Sequence, residues 1–342
     1  MRIEKLLEKL PQGACVLLSS PEDMRYYASF TGEGYVLLSE SEKVIYTDGR
    51  YTEQSEKEAP DFKVCDIRTL KSALKEINTP IYFQENHMKC GTYSAFINGG
   101  IELLPSGIDF AALRAVKDEK EITLLKQAAE IAEKAYSETL NFIRPGKTEQ
   151  EIAAYLNYQM ACGGGLKTSF DTICISGRKT SLPHGVPSEK RVEEGEFLTM
   201  DFGCMYGGYC SDMTRTVAIG YVSDEMEEVY NIVLRAQDET EKTLEAGMIE
   251  SAADMIARKI IIDAGYGAYF VHSTGHGVGL EIHEQPVLAP KKMNALQIGH
   301  VVTVEPGIYL PNKFGVRIEN TVLITENGCS PLQKSEKELI IL

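Results

Sequence analysis

The stretch FLTMDFGCMYGGYCSDMTRTVAIG, from Phe197 to Gly220, decides the fold. It reads as two β-strands joined by a tight turn at Tyr206-Gly207-Gly208-Tyr209, because a glycine pair between alternating segments is a hairpin signal. With the turn centred on Tyr206 and Gly207, Asp201 and Asp212 stand directly opposite. A slip of one residue on each strand sets Asp201 against Thr214, and Asp212 becomes its diagonal neighbour on the same face. Directly opposed residues bring their Cβ atoms to about 5 Å, where like charges repel. A lone pair of aspartates is more simply a solvated or protonated strand end, but two carboxylates held that close make sense around a cation.

A second copy strengthens the cation reading. Val302-Thr303-Val304-Glu305-Pro306-Gly307 echoes Leu198-Thr199-Met200-Asp201-Phe202-Gly203 at an offset of 104 residues. Downstream, Val316-Arg317-Ile318-Glu319-Asn320 supplies another acid in an alternating strand pattern. Four acids on two similar strand pairs describe a carboxylate-rich site between two related halves.

The 342-residue chain is long enough for two domains, and its 43% apolar content supports a sizeable core. A formal charge of −15 argues against nucleic acid or an anionic membrane surface as partner. No apolar run reaches the ~18 residues of a membrane span, and the start MRIEKLLEKLPQG lacks an apolar signal core. A cytoplasmic protein is expected. The eight cysteines form no C-x-x-C pair, so reduced core thiols are expected, Cys204 and Cys210 beside the turn included.

Residues 1–113 alternate short strands and helices, with apolar runs at Ala14–Leu18 and Tyr35–Leu38 and a strand entering a turn over Val44–Tyr51. This region has no metal-ligand cluster and reads as a small α/β domain that shapes a cleft or an oligomer interface. From Glu119 to Phe142 the periodicity is helical, with Ile122, Leu125, Ala129, Ala132 and Tyr136 on one face. Thr148-x-x-Glu151 is a capping box for a second helix that stops at Gly163. Helices over Asp224–Leu244 and Ser251–Ala264 follow the aspartate hairpin. The order helix, helix, hairpin occurs twice, so residues 114–342 are expected to form an internally duplicated α+β domain.

Histidines cluster near the second acidic strand. An apolar strand is expected over Ala268–Val271, and then come His272 and His276 in His272-Ser-Thr-Gly-His276-Gly-Val-Gly, with His283 seven residues on. The alternating glycines speak against a helix and are expected to hold the imidazoles on a turn. One such histidine would be an ordinary structural residue, but the cluster favours metal or acid–base work. Gly275-His-Gly-Val-Gly is not a dinucleotide fingerprint, and Gly165-Leu-Lys-Thr lacks the glycine that precedes lysine in a P-loop.

Taken together, MDFG, SDMTRT, GHGVGLEIHE, VEPGIY and VRIEN resemble the ligand motifs of the pita-bread metallopeptidases, the family of Xaa-Pro aminopeptidases, prolidases and methionine aminopeptidases. The resemblance covers residues 114–342, and residues 1–113 are similar to the creatinase-type N-terminal domain of the same branch. It implies that Asp201, Asp212, His276, Glu305 and Glu319, at spacings of 11, 64, 29 and 14 residues, hold two divalent metal ions. Mn2+ is expected, with Co2+, Zn2+ or Fe2+ as alternatives, and an oxygen-rich set with one imidazole suits such ions. By the same resemblance Asp212 and Glu319 bridge the metals, Asp201 serves one, and His276 with Glu305 serves the other. Glu305 also takes the proton of the attacking water. His184 contacts substrate, His283 stabilises the oxyanion or protonates the leaving nitrogen, and His272 walls a proline pocket. Arg317, two residues from Glu319, orients a metal carboxylate.

The implied activity is hydrolysis of the bond before proline in short peptides, by a cytoplasmic homodimer. Prolidases of the family place an arginine after the second histidine to hold a dipeptide's carboxylate. Here Glu284-Gln285-Pro286-Val287-Leu288 follows His283, with no basic residue before Lys291. An aminopeptidase acting on longer peptides is therefore the leading expectation and an Xaa-Pro dipeptidase the alternative. Methionine aminopeptidase, or a silent binding protein on the same scaffold, ranks lower.

Overall fold

The computed structural model describes residues 2–342. The chain divides into two compact units, one ending at Leu113 and one running from Arg114 to Leu342. The first contains a six-stranded mixed sheet of β1 (Cys15–Leu18), β2 (Gly34–Leu38), β3 (Lys43–Thr47), β4 (Lys63–Asp66), β5 (Ile81–Phe83) and β6 (Leu104–Pro105). Its order is β4-β3-β2-β1-β5-β6. The short apolar runs become central strands because both faces are covered, and all four residues of β1 are buried. One face packs Leu17, Leu37, Val44 and Phe83 against Leu70, Leu74 and Phe96. The helices of this unit are α1 (Arg2–Leu7), α2 (Pro21–Ala28), α3 (Thr52–Glu58), α4 (Leu70–Glu76) and α5 (Cys90–Ile97), and α6 (Phe110–Ala115) leads into the second unit.

The second unit carries the duplication. Its helices α7 (Glu119–Leu140) and α8 (Glu149–Cys162) are matched in the second half by α9 (Asp224–Thr243) and α10 (Glu250–Asp263). The starts of α7 and α8 follow from local chemistry. Asp118 and Thr148 each accept from the backbone of the third helical residue, and Glu121 and Glu151 return the bond. The apolar face of α7, from Ile122 through Tyr136, is buried as its periodicity requires.

In the first half, β8 (Ile173–Ser176), β9 (Phe197–Phe202) and β12 (Met213–Ala218) form one antiparallel sheet in the order β12-β9-β8. The hairpin between β9 and β12 closes through β10 (Cys204–Tyr206) and β11 (Tyr209–Cys210), which join β7 (Lys167–Thr168) in a separate small sheet. In the second half, β13 (Gly275–Gly277), β14 (Glu284–Leu288), β15 (Val301–Val304), β18 (Asn320–Thr325) and β19 (Gly328–Pro331) form a sheet ordered β14-β13-β15-β18-β19. A hairpin of β16 (Gly307–Leu310) and β17 (Phe314–Arg317) lies between β15 and β18, as β10 and β11 lie between β9 and β12.

The hairpin takes the second of the two expected registers. Asp201 pairs with Thr214, and Tyr206 pairs with Tyr209. The turn therefore centres on Gly207 and Gly208, whose φ values of 53° and 87° suit a type I′ turn that tyrosine would disfavour. Asp212 leaves the regular ladder where the hairpin passes from one sheet to the other. Ser211 donates its backbone N–H to Cys204 O, and a Cβ on the neighbouring Gly203 would lie 1.8 Å from Ser211 O. Only glycine fits that crossing.

Two local expectations are corrected. Ala268–Val271 is not a strand, since Gly267–Tyr269 is a single 3₁₀ turn. His276 sits on a strand, β13, and not on a turn. The glycines around it serve close strand contact. A Cβ on Gly275 would lie 1.9 Å from Thr303 O, and one on Gly277 would lie 2.2 Å from Gln285 O.

Candidate metal centre

His184, Asp201, Asp212, His272, His276, His283, Glu305, Arg317 and Glu319 all line one cavity of about 710 Å³ in the second unit. The sequence spread them over more than a hundred residues, and the two hairpins bring them together. Asp201 projects from β9, and Asp212 lies just before β12. Glu305 follows the end of β15, and Glu319 precedes β18. His276 is the middle residue of β13.

Asp201, Asp212 and Glu319 each offer a carboxylate oxygen, and these lie within 4.8 Å of one another. The second cluster adjoins the first. His276 Nε2 stands 3.3 Å from Glu305 Oε1 and 3.6 Å from Asp212 Oδ2. Burial and then repulsion from Glu319 and Asp201 push the Asp212 carboxyl well above its ordinary range. Glu319 is pushed up for the same reasons, burial and then Glu305 and Asp201. Burial also raises Asp201, although Arg317 beside it opposes the shift. Four acids gather around a single guanidinium, so ionising all of them would leave negative charge that Arg317 and His276 cannot balance.

Other residues hold the acids in place. Arg317 Nη2 donates to Asp201 Oδ2 at 2.6 Å, its Nε to Thr214 Oγ1 at 3.1 Å and its Nη1 to the Tyr309 hydroxyl at 2.7 Å. Thr214 Oγ1 in turn donates a hydrogen bond to Glu319 Oε2 at 2.6 Å. The fully buried Arg215 donates to the Glu319 carbonyl at 2.5 Å and to Asn320 Oδ1 at 2.8 Å, fixing the turn that carries Glu319. Sequence reasoning found Arg317 but missed Thr214, Arg215 and Tyr309. The only signal was a charged residue inside the apolar alternation of β12.

The four histidines fall into two kinds. His276 Nδ1 lies 3.1 Å from Gly277 O, a contact that places a proton on Nδ1 and turns Nε2 toward the acids. Burial, the largest single influence, lowers its pKa, but the hydrogen bond to Glu305, the charges of Glu305 and Glu319 and the Gly277 carbonyl together raise it to about 9. Glu305, raised by burial, is brought down to about 2 by the same bond together with the charges of His276, His272 and Arg317. His272 is held at both nitrogens, Nδ1 by Ser273 O at 2.7 Å and Nε2 by the Tyr309 hydroxyl at 2.8 Å. Burial and then Arg317 lower its pKa, keeping it neutral. His184 and His283 are exposed to the cavity and make no hydrogen bond among the described residues. The His283 ring stands 4.4 Å from the His276 ring, centroid to centroid, and burial with the His276 charge lowers its pKa.

The donor set fits divalent cations. Asp201 Oδ1 and Glu319 Oε1 are buried without any hydrogen-bond partner, a costly state that a coordinated cation removes. Carboxylates with one correctly tautomerised imidazole suit first-row divalent ions.

Residues 123–326 match the model of metallopeptidase family M24. The chain belongs to that family. Residues 2–116 match the creatinase/prolidase N-terminal domain. M24 membership makes the chain a metallopeptidase that uses divalent metal. It is 38% identical to an Xaa-Pro dipeptidase of Pyrococcus furiosus over 99% of both chains. Its fold is similar to an Xaa-Pro dipeptidase from Bacillus anthracis, with a TM-score of 0.95, 42% identity, and coverage of 100% of this chain and 98% of that one. It is also similar to an X-Pro aminopeptidase from Thermotoga maritima, at a TM-score of 0.93 and 38% identity over the whole of both chains. The pita-bread arrangement with a creatinase-like N-terminal domain stands as expected. Among the described residues no helix is long and apolar enough to cross a membrane.

Proposed function

We propose that this M24 peptidase hydrolyses the bond before proline in short peptides, acting as an Xaa-Pro dipeptidase. The observation that carries the reading is full-length similarity to Xaa-Pro dipeptidases, at 42% and 38% identity. This moves the leading expectation from aminopeptidase to the dipeptidase alternative. The earlier preference rested on one missing arginine after His283, and that is weaker ground than similarity along the entire chain.

Asp201, Asp212 and Glu319 would hold one divalent ion, and His276 with Glu305 would join the bridging acids around a second. Bound there, the metals supply Lewis-acid polarisation of the scissile carbonyl and a lowered pKa for the attacking water. The remaining chemistry belongs to the chain. Glu305, steadied by Thr303 Oγ1 at 3.1 Å, accepts the proton of the water. Neutral His283, free of other bonds, donates its N–H as a hydrogen bond to the developing oxyanion or to the leaving nitrogen. His184 contacts substrate from the opposite loop. His272, locked between Ser273 and Tyr309, presents its ring as a wall for proline. Arg317 keeps Asp201 oriented for the metal.

One observation favours a second reading, activity on longer peptides. The single guanidinium lining the cavity is Arg317, and its donors are taken by Asp201, Thr214, Tyr309 and Pro183 O. No other lysine or arginine lines that cavity, so the second unit offers no spare cation for a dipeptide's carboxylate. Measuring kcat/KM for an Xaa-Pro dipeptide against the matching Xaa-Pro-Xaa tripeptide, with Mn2+ added, decides the matter. A dipeptide preference of about tenfold, the size of one charge-assisted bond, supports the dipeptidase. Equal or better tripeptide hydrolysis returns the assignment to aminopeptidase, and no cleavage of either refutes Xaa-Pro specificity.

A further inference from the structure

His184 makes no hydrogen bond of its own, so its position depends on the loop that carries it. That loop joins β8 to β9 and supplies Pro183, His184, Gly185, Val186 and Pro187 to the cavity wall. Between Ser176 and Ser188 its own backbone bonds are short-range, from Leu182 N to Lys179 O and from Gly185 N to Leu182 O. Such turns shape the segment, and its middle is tied to β17 by Gly315 N to Thr180 Oγ1 at 2.8 Å and by Arg317 Nη1 to Pro183 O at 3.2 Å.

The flanks at Ser176 and Ser188 are held by Glu149, the first residue of α8, whose side chain is fully buried. Its Oε1 accepts from Ser176 N at 2.7 Å and from Ser176 Oγ at 3.1 Å. Its Oε2 accepts from Ser188 N at 2.9 Å, Ser188 Oγ at 2.8 Å and Lys179 Nζ at 2.5 Å. The two oxygens therefore hold the two ends of the loop. Lys179 braces it from within, donating also to Val186 O at 2.9 Å, two residues beyond His184.

The second half repeats the device. Glu250, first residue of α10 and equally buried, accepts from Val287 N and Asn294 N at 3.0 Å each. In both halves the acid follows by three residues a glycine with left-handed φ, Gly146 at 89° and Gly247 at 90°. A buried acid at the same place in both repeats, each time gripping the backbone of the segment beside the cleft, is a device of the repeat itself.

We propose that Glu149 is a positioning residue for the peptidase reaction. Through Ser176, Lys179 and Ser188 it sets the loop that presents His184 to substrate. The proposal rests on the reading of His184 as a substrate contact. A glutamine at this place keeps the shape of the side chain but turns an NH2 group toward backbone N–H donors, whichever way the amide lies.

The test is a double-mutant cycle on the metal-loaded full chain. Glu149→Gln should lower kcat/KM by about tenfold or more, the scale on which misplaced positioning groups act, with metal content unchanged. Introduced into His184→Ala, the same change should cost less than about twofold, because the group it positions is gone. Hydrogen exchange should show faster amide exchange over residues 177–188 in Glu149→Gln, with α9 unchanged. Lys179→Met and Ser188→Ala, which remove fewer of the contacts, give graded versions of the result and carry the cycle if Glu149→Gln does not fold. Multiplicative losses in the cycle, or unaltered exchange over 177–188, overturn the positioning role. Full activity in His184→Ala refutes the substrate contact itself, and the proposal falls with it.

Discussion

Replacing Asp212 by asparagine should stabilise the metal-free protein while destroying its function. Oxygens of Asp201, Asp212 and Glu319 lie within 4.8 Å of one another. At that separation two ionised carboxylates repel by about 3 kcal/mol at an effective dielectric near 20. The chain relieves part of this by binding protons, which costs about 1.4 kcal/mol for each unit between the raised pKa and the buffer. Asparagine removes the charge but keeps the shape. The contacts that place Asp212 are to its carbonyl, from Thr321 Oγ1 at 2.9 Å and Gln333 Nε2 at 2.8 Å, and they survive the change. A net gain of about 2 kcal/mol in chelator follows, or ~4–8 °C in thermal midpoint for a unit of this size.

Metal reverses the ranking. A wild-type site saturated at a hundred times its dissociation constant gains about 2.7 kcal/mol, and the variant, without its bridging acid, gains little. Thermal melts in EDTA and in excess MnCl2, at one pH, read both effects. The variant should melt above the wild type in chelator and below it in manganese. A variant that melts lower in chelator, or that shows the full metal-induced shift, would falsify both the strain and the bridging role.

Three further outcomes follow from the same geometry. In chelator, wild-type stability should fall as pH rises from about 6.5 to 9, the span between the ordinary and the raised pKa of His276, and the raised acids Asp212 and Glu319 act with the same sign from the ordinary carboxylate range upward. Melts across that range should be flatter with Mn2+, and a midpoint rising with pH in EDTA would contradict the sign. Arg317→Lys keeps the charge but not the fork that reaches Asp201, Thr214 and Tyr309 together, so metal affinity or kcat should drop about 10- to 100-fold, read by metal titration beside steady-state kinetics. Gly277→Ala sets a Cβ against three backbone atoms of Glu284 and Gln285, and should cost about 1–3 kcal/mol or more together with metal loading at the adjacent His276, seen in melts and metal analysis.

The parts legible in the sequence are those encoded locally. Asp118 and Thr148 announce their helices because a capping box needs only four consecutive residues. The duplication was visible because strand motifs around Asp201 and Glu305 repeat in type and order. The hairpin register was legible only as a choice of two, since either Tyr206-Gly207 or Gly207-Gly208 could centre the turn, and positive φ at both residues selected the second pair. β13 was misread because glycine near histidine suggests a turn, whereas here it admits neighbouring backbones at distances no Cβ allows. Glu149 and Tyr309 left no local trace, and Arg215 left only its charge inside β12. The partners of Glu149 lie 27 to 39 residues away, those of Arg215 apart from Thr214 O lie 104 to 121 away, and the Tyr309 hydroxyl meets both Arg317, 8 residues away, and His272, 37 away.

The repeat also explains why the centre is chemically lopsided on a nearly symmetric frame. β9 and β15 present Asp201 and Glu305 from matching places, and Asp212 and Glu319 stand before β12 and β18, the strands that complete each pair. The flanking strands break the symmetry. β8 borders β9 as β13 borders β15, yet β8 reads Ile-Cys-Ile-Ser and is buried throughout, whereas β13 is a glycine-flanked histidine. One side of the centre is therefore all oxygen, with Arg317 beside it, and the other joins an imidazole to Glu305. The two histidines free to move protons or meet substrate, His184 and His283, come one from each half. On the proposed roles, chemistry at the peptide bond is divided between repeats, while the outer acids Glu149 and Glu250 bond, in each, the backbone beside the cleft.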